Sequence, residues 1–217
     1  VYAVIWTTTP WTIPCNTGIA VNPAARYTII RHGERYYVVA EALVQDVAEE
    51  CGLEPYETVK VVHGRDLEGL EARHPLYDRV SKLVTADYVT MVEGTGLVHT
   101  APGHGLEDYE TALRFGLDII SPVDEKGRFT AEAGSELEGL IVDQANDKVV
   151  ELLQRAGALL GRGSITHSYP HCWRCHRPVI YRATQQWFLD INSLREAALA
   201  EIEKAEWVPA WGKTRIA

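Results

Sequence analysis

Gly94-Thr95-Gly96-Leu97-Val98-His99-Thr100-Ala101-Pro102-Gly103-His104-Gly105-Leu106-Glu107-Asp108-Tyr109 reads as a strand, a glycine-rich loop and the start of a helix. Gly96 to Thr100 is apolar and β-branched, as a short strand requires. Tyr109, Ala112 and Leu113 fall on one side of a helix predicted over 107–115, with Gly116 as its cap. Glycines such as Gly103 and Gly105 let a backbone approach a ligand closely. Asp108 falls in the first helical turn, where the helix field favours an ionised carboxylate. Such a carboxylate beside a loop suits an ammonium group. Read alone, Asp108 fits a first-turn acid equally well and His99 a strand histidine, so both readings stay open. The spacing is neither a phosphate-binding P-loop nor a dinucleotide fingerprint, because no Lys-Ser/Thr follows the glycines.

Short strands recur on the N-terminal side. Val1 to Thr9, Tyr27 to Arg31, Tyr36 to Val39, Thr58 to His63 and Val80 to Val84 are rich in β-branched and aromatic residues, and His32-Gly33-Glu34 reads as a turn. Helical spacing marks Glu41 to Glu50, Asp143 to Ala156 and Asn192 to Glu206. Short strands among three or four helices, without regular strand-helix alternation, predict an α+β fold around a small closed or nearly closed, barrel-like sheet. A change of character near Ser164 divides a body, 1–163, from a C-terminal connector, 164–217, which holds four of the six tryptophans. Such aromatic density suits a surface that packs on another body.

The second motif is Trp6-Thr7-Thr8-Thr9-Pro10-Trp11-Thr12. Threonines leaving a strand place hydroxyls on both faces of the backbone, and Pro10 holds Thr9 extended. Hydroxyls that donate and accept suit an ester carbonyl, a ribose or a water. An ordinary threonine-rich edge strand has the same pattern.

Composition narrows the classes. The 217 residues are 46% hydrophobic with a net charge of −9, which disfavours a free-standing nucleic-acid binder. The acidity is uneven: Glu41 to Glu57 has six acidic and no basic residues, whereas Arg162 to Arg182 has four arginines and no carboxylate. No apolar run reaches the ~18 residues of a membrane span. The chain lacks an initiator methionine and opens as though in mid-strand, so it reads as an excised piece. Cys15 and Cys51 have no metal-type spacing and read as buried hydrophobes in a reducing, cytoplasmic setting. Cys172-Trp173-Arg174-Cys175 is half of a structural zinc site, which needs four ligands. His171 and His176 are adjacent, but so short a run rarely reaches tetrahedral geometry, and the other half is expected outside the chain. No Ser-His-Asp or Cys-His arrangement is readable, so any hydrolysis would use water.

WTTTPWT and GTGLVHTAPGHGLEDY, about ninety residues apart and in this order, resemble the editing insertion (connective peptide 1) of the isoleucyl-type class I aminoacyl-tRNA synthetases. SYPHCWRCHRPVIYRATQQWF and WVPAWGKTRI are similar to the segments by which that insertion returns to the synthetase core. Valyl and leucyl relatives have Thr-Thr-Arg-Pro where this chain has Thr-Thr-Thr-Pro, and an Ala-His-Asp loop where it has Pro-Gly-His-Gly. The resemblance implies post-transfer editing. A hydrophobic synthetic site discriminates weakly against a side chain smaller by one methylene, about 1–3 kcal/mol, so a second site hydrolyses the wrong ester. It implies that Asp108 holds the α-ammonium of valine esterified to the 3′ end of tRNA(Ile), and that Thr7, Thr8 and Thr9 hold the ester, the terminal adenosine or the water. His99 would line the side-chain pocket and set the size limit that excludes isoleucine. Trp6, Pro10, Gly103, His104 and Gly105 would shape the substrate site. The partners implied are tRNA(Ile) and the rest of the synthetase chain, with the fragment itself monomeric. No cofactor is needed for editing, although zinc at Cys172 and Cys175 is compatible with the full-length enzyme. Alternatives are a valyl- or leucyl-type or free-standing deacylase, and a non-catalytic zinc-ribbon or tRNA-interaction module.

Overall fold

A computed structural model describes residues 1–166 and 168–216. Its contacts divide the chain into two units, Val1–Ala183 and Thr184–Ala217, where the sequence alone suggested a change near Ser164.

The first unit opens with β1 (Tyr2–Ala3), and a 3₁₀ turn over Pro10–Cys15 leads to β2 (Gly18–Val21). A hairpin follows, β3 (Arg26–His32) and β4 (Arg35–Ala40), with His32 paired to Arg35 across the Gly33-Glu34 turn. After a 3₁₀ turn come α1 (Val44–Glu50) and β5 (Glu57–His63), then β6 (Glu71–Arg73), β7 (Val80–Thr85) and β8 (Leu97–Thr100). The helices α2 (Leu106–Phe115) and α3 (Val142–Arg155) complete this unit. The strands form two four-stranded sheets, ordered β1-β4-β3-β5 and β6-β7-β2-β8. β2 lies parallel to β7 and antiparallel to β8, and all its residues are buried.

The architecture is α+β, but among the described residues neither sheet closes into the expected barrel. The outer strands β5 and β6 do not pair, and on the other side the first strand ends early. Val1 to Thr9 was expected to be extended throughout, yet only Tyr2–Ala3 pairs regularly. Beyond it the Thr7 hydroxyl accepts the Thr9 N–H, and Pro10, with fixed φ and no N–H, opens the 3₁₀ turn. What joins the two sheets on that side is an isolated parallel bridge, Trp6–Val98, and the Ala40 N–H donating to Thr95 O.

Three apolar clusters hold the unit. One, around Val21, Tyr27, Ile30, Val39 and Leu97, packs both sheets and α1. Tyr27 crosses between the sheets: its hydroxyl accepts the Asn22 N–H and donates to Gly96 O, both at 2.8 Å, and burial pushes the phenol up to about 12. A second cluster joins Trp11, Ile13 and Cys15 of the 3₁₀ turn to Val142, Ala145 and Val149 of α3. A third sets Ala112 of α2 against Ala20 and Val84. The 3₁₀ turn and α2 are thereby fixed on either side of β8.

The second unit carries α4 (Asn192–Lys204) and α5 (Gly212–Ile216), neither with a buried residue. Trp207 donates from Nε1 to Ile202 O, whereas Trp187 is 103% and Trp211 63% exposed. Among the described residues no helix is long and apolar enough to cross a membrane.

Candidate active site

The Trp6 segment, β8 and the start of α2 enclose a cleft of about 300 Å³. Trp6, Thr7, Thr8, Thr9, His99, His104 and Asp108 line it, so the two sequence motifs meet in one place. Thr12, Tyr88, Thr90 and Glu93 line it too, and the sequence assigned none of them a role. Among the lining residues the only acids are Glu93 and Asp108, and there is no lysine or arginine. The cleft therefore favours a cation.

The threonine turn is internally bonded. Thr7 Oγ1 lies 3.1 Å from the Thr9 N–H that it accepts and 3.5 Å from Thr9 Oγ1, while Thr8 is exposed at the rim. Thr12, one 3₁₀ turn after Thr9, donates its hydroxyl proton to Thr9 O at 2.8 Å. Pro10 does not line the cleft; it starts the turn, and the next amide, Trp11 N–H, donates to Asn146 Oδ1 of α3 at 3.0 Å.

His99 is locked between two polar partners, Thr12 Oγ1 at 2.9 Å from Nε2 and Asn16 Nδ2 at 2.7 Å from Nδ1. The neighbours decide its tautomer. Asn16 Nδ2 also meets Gly18 O, a pure acceptor, and Ser81 Oγ meets Asn16 Oδ1, so the Asn16 amide nitrogen faces the imidazole and donates to Nδ1. The Thr12 proton is already given to Thr9 O, so Nε2–H donates to Thr12. His99 is neutral, and burial pushes its pKa down to about 3, helped by the nearby His74 and His104. Both ring nitrogens are engaged by protein, so the ring serves as a wall of the cleft and not as a base.

Asp108 sits in the first turn of α2, its Oδ2 accepting the Ala101 N–H at 2.8 Å. Among the described residues no lysine or arginine pairs with it, and burial raises its pKa against the lowering pull of the Ala101 N–H. A half-buried carboxylate without a counterion is what an ammonium-bearing ligand would complete. Gly105 caps α2, and a Cβ there would come within 3.1 Å of Asp108 Oδ2. At Gly103 a Cβ would meet Ile120 O at 2.1 Å, so the loop lies flush against the following segment. His104 packs edge-on against Trp11, ring centroids 4.8 Å apart, and its Nδ1–H donates to Tyr181 O at 3.0 Å. Burial depresses its pKa. The Ala183 N–H donates to Gly103 O at 2.8 Å, which ties the same loop from a position late in the unit. Gly103 and Gly105 therefore shape the cleft from behind without lining it.

Cys172-Trp173-Arg174-Cys175 folds as a tight knuckle. Cys172 N–H donates to Arg177 O and His176 N–H to Cys172 O, both at 2.8 Å, and Pro178 bridges back to His171. Backbone N–H groups of Cys175 and Arg174 point at the Cys172 thiol and lower its pKa. This donor set fits half of a zinc site; among the described residues no third His, Cys, Asp or Glu joins the pair.

Residues 8–217 match the profile of the tRNA synthetases class I (I, L, M and V). The chain is 54% identical over 217 residues to the isoleucine--tRNA ligase of Fervidobacterium pennivorans, covering 99% of this chain and 24% of the relative. The isoleucine--tRNA ligase of Thermotoga maritima is 50% identical over 219 residues, covering 99% of this chain and 24% of its own length. The chain thus spans about a quarter of these relatives. Among solved structures, GlLeuRS-CP1 superposes with a TM-score of 0.57 at 17% identity over 78% of this chain and 85% of that one. The Plasmodium structure described as the P. knowlesi cytosolic leucyl-tRNA synthetase editing domain follows at 0.54 and 12%, over 70% and 80%. Fold, profile and sequence identity agree: the chain belongs to the class I tRNA synthetase family of the isoleucyl, leucyl, methionyl and valyl enzymes.

Proposed function

We propose that the chain is the editing portion of an isoleucine--tRNA ligase and hydrolyses valine esterified to the 3′ end of tRNA(Ile). Its identity to isoleucine--tRNA ligases and its likeness to leucyl editing domains support the reading. The observation that carries it is the Asp108 carboxylate, without a cationic partner among the described residues, in a hydroxyl-lined cleft without lysine or arginine. An aminoacyl ester presents an ammonium beside an activated carbonyl, so a site that orients it needs no covalent nucleophile. Asp108 pairs with the ammonium. Hydroxyls of the threonine turn hold the ester and a water whose oxygen bonds to the carbonyl carbon. The ester C–O bond breaks, and the released ribose oxygen takes the proton that the attacking water gives up, leaving valine and the free 3′ end. The His99 ring bounds the side-chain pocket and excludes the larger isoleucine. The partners are tRNA(Ile) and the remainder of the synthetase, in the cytoplasm, and zinc would sit on Cys172 and Cys175 with ligands from elsewhere in that enzyme.

The test is deacylation of valyl-tRNA(Ile) and isoleucyl-tRNA(Ile) by this chain. Valine should be released selectively. Asp108→Asn keeps an acceptor for the Ala101 N–H and removes the charge, so the rate should fall roughly 10- to 100-fold. Equal hydrolysis of both esters, or an Asp108→Asn variant as fast as the parent, would overturn the reading.

A further inference from the structure

The segment His74-Pro75-Leu76-Tyr77-Asp78-Arg79 belongs to neither motif and does not line the cleft. It lies behind the 3₁₀ turn. The 3₁₀ turn ends in buried carbonyls: Ile13 O accepts the Asn16 N–H at 3.0 Å and has a lone pair left, whereas Pro14 O and Asn16 O lie past the last amide of the turn. His74 Nε2–H donates to Ile13 O at 2.9 Å. Its Nδ1 accepts the N–H groups of Leu76 at 3.0 Å and Tyr77 at 3.2 Å, which fixes the tautomer that makes Nε2 a donor. Arg79 bonds two further carbonyls, Pro14 O through Nη2 and Asn16 O through Nε at 3.1 Å. The guanidinium is steadied by the Tyr77 ring 4.8 Å away, and Tyr77 is anchored by its hydroxyl donating to Ala133 O.

Asn16 is where this backing meets the cleft. Its carbonyl is held by Arg79, and its side-chain amide sets the tautomer of His99. His99 in turn supplies the donor that leaves the Thr12 proton for Thr9 O. We propose that His74 and Arg79 are positioning residues of the hydrolytic site: by holding the carbonyls of Ile13, Pro14 and Asn16 they set the placement of the threonine turn and of His99. The inference rests on the hydrolytic reading for its consequence in rate, but its geometric part is independent of any substrate.

Two variants separate positioning from simple folding. His74→Asn retains an acceptor where Nδ1 sits, so the Leu76 and Tyr77 amides stay satisfied, but its shorter side chain does not reach Ile13 O. Arg79→Lys keeps the charge and most of the stem, yet a single ammonium does not reproduce the planar fork that serves two carbonyls. Each variant of this chain is compared with the parent by thermal melting, by ¹⁵N resonances of labelled histidines, and by kcat and KM for valyl-tRNA(Ile). Both variants should melt cooperatively, lose the parent pattern of unprotonated Nδ1 and protonated Nε2 at His99, and drop kcat roughly 10- to 100-fold with KM little changed, as misplacement of reacting groups does. Parent-like His99 resonances, or a parent-like kcat, in both variants would overturn the proposal. If the parent itself leaves the valyl ester intact while the His99 resonances still respond, the hydrolytic reading has failed and the clamp no longer serves catalysis.

Discussion

At the scale of single residues, the cleft is governed by where protons are already committed. Thr12 is the clearest case. It faces the cleft, yet its proton goes to Thr9 O and its lone pair takes His99 Nε2–H. Thr12→Val would keep the shape and strip both side-chain bonds, leaving a buried imidazole N–H unpaired and Thr9 O with only the backbone N–H of residue 12, at a cost of about 1–3 kcal/mol. Urea unfolding should show a lowered midpoint that Thr12→Ser restores; a midpoint equal to the parent's would contradict the proton assignment. Asp108 is the opposite case, a carboxylate whose Oδ2 has one backbone donor and whose charge has no partner among the described residues. It was legible as a first-turn acid beside a glycine loop. That Thr12 and Asn16 decide the state of His99 was not legible, because their roles come from contacts spanning 87 and 83 residues of sequence.

Among the elements, those with a local signal were readable and those built by distant partners were not. The hairpin β3–β4, with its two-residue turn, and the helices α2 and α3, with their apolar stripes, stand close to where the sequence placed them. β2 was missed because a four-residue strand buried throughout shows no alternation. The 3₁₀ turn was missed because two prolines in six residues give no helical period, and part of what holds its last carbonyls, His74 and Arg79, comes from far along the chain. The closed or nearly closed sheet was expected from many short strands among few helices, a pattern that does not say which strand edges pair; on the β1 side the Thr7–Thr9 bond and Pro10 end the first strand early. The loop before α2 offers a prediction at this scale. Gly103→Ala would press a methyl onto Ile120 O, 2.1 Å away, and should destabilise the unit by about 1–3 kcal/mol in chemical denaturation. An unchanged midpoint would mean that the loop does not lie against that segment.

For the molecule as a whole, acid sensitivity follows from three histidines that the fold keeps neutral. His74 is pushed down to about 4 and His99 to about 3, each chiefly by burial, and His104 is lowered for the same reason. Between pH 6.5 and those lowered values the unfolded chain binds protons that the native state refuses. Stability is therefore complete above pH 6.5 and falls as pH drops, by at most about 1.4 kcal/mol per pH unit for each such histidine. Glu136, depressed by its bonds to Arg155 and Lys148, adds loss of the same sign at lower pH. Asp108, raised by burial, works in the other direction and offsets part of the loss. Urea midpoints measured at pH 7, 5.5 and 4.5 should decrease in that order; a flat or rising series would show that these histidines are not held neutral. The bond from Ala183 N–H to Gly103 O carries a different consequence, one of timing. Cleft-lining residues run from Trp6 to Asp108, whereas the segment that fastens the Gly103 loop, Tyr181 and Ala183, is made long afterwards. Synthesis proceeds from the N-terminus at about 5–20 residues per second. The bonds that Tyr181 and Ala183 make to the loop can therefore form only several seconds after every group of the cleft has been synthesised.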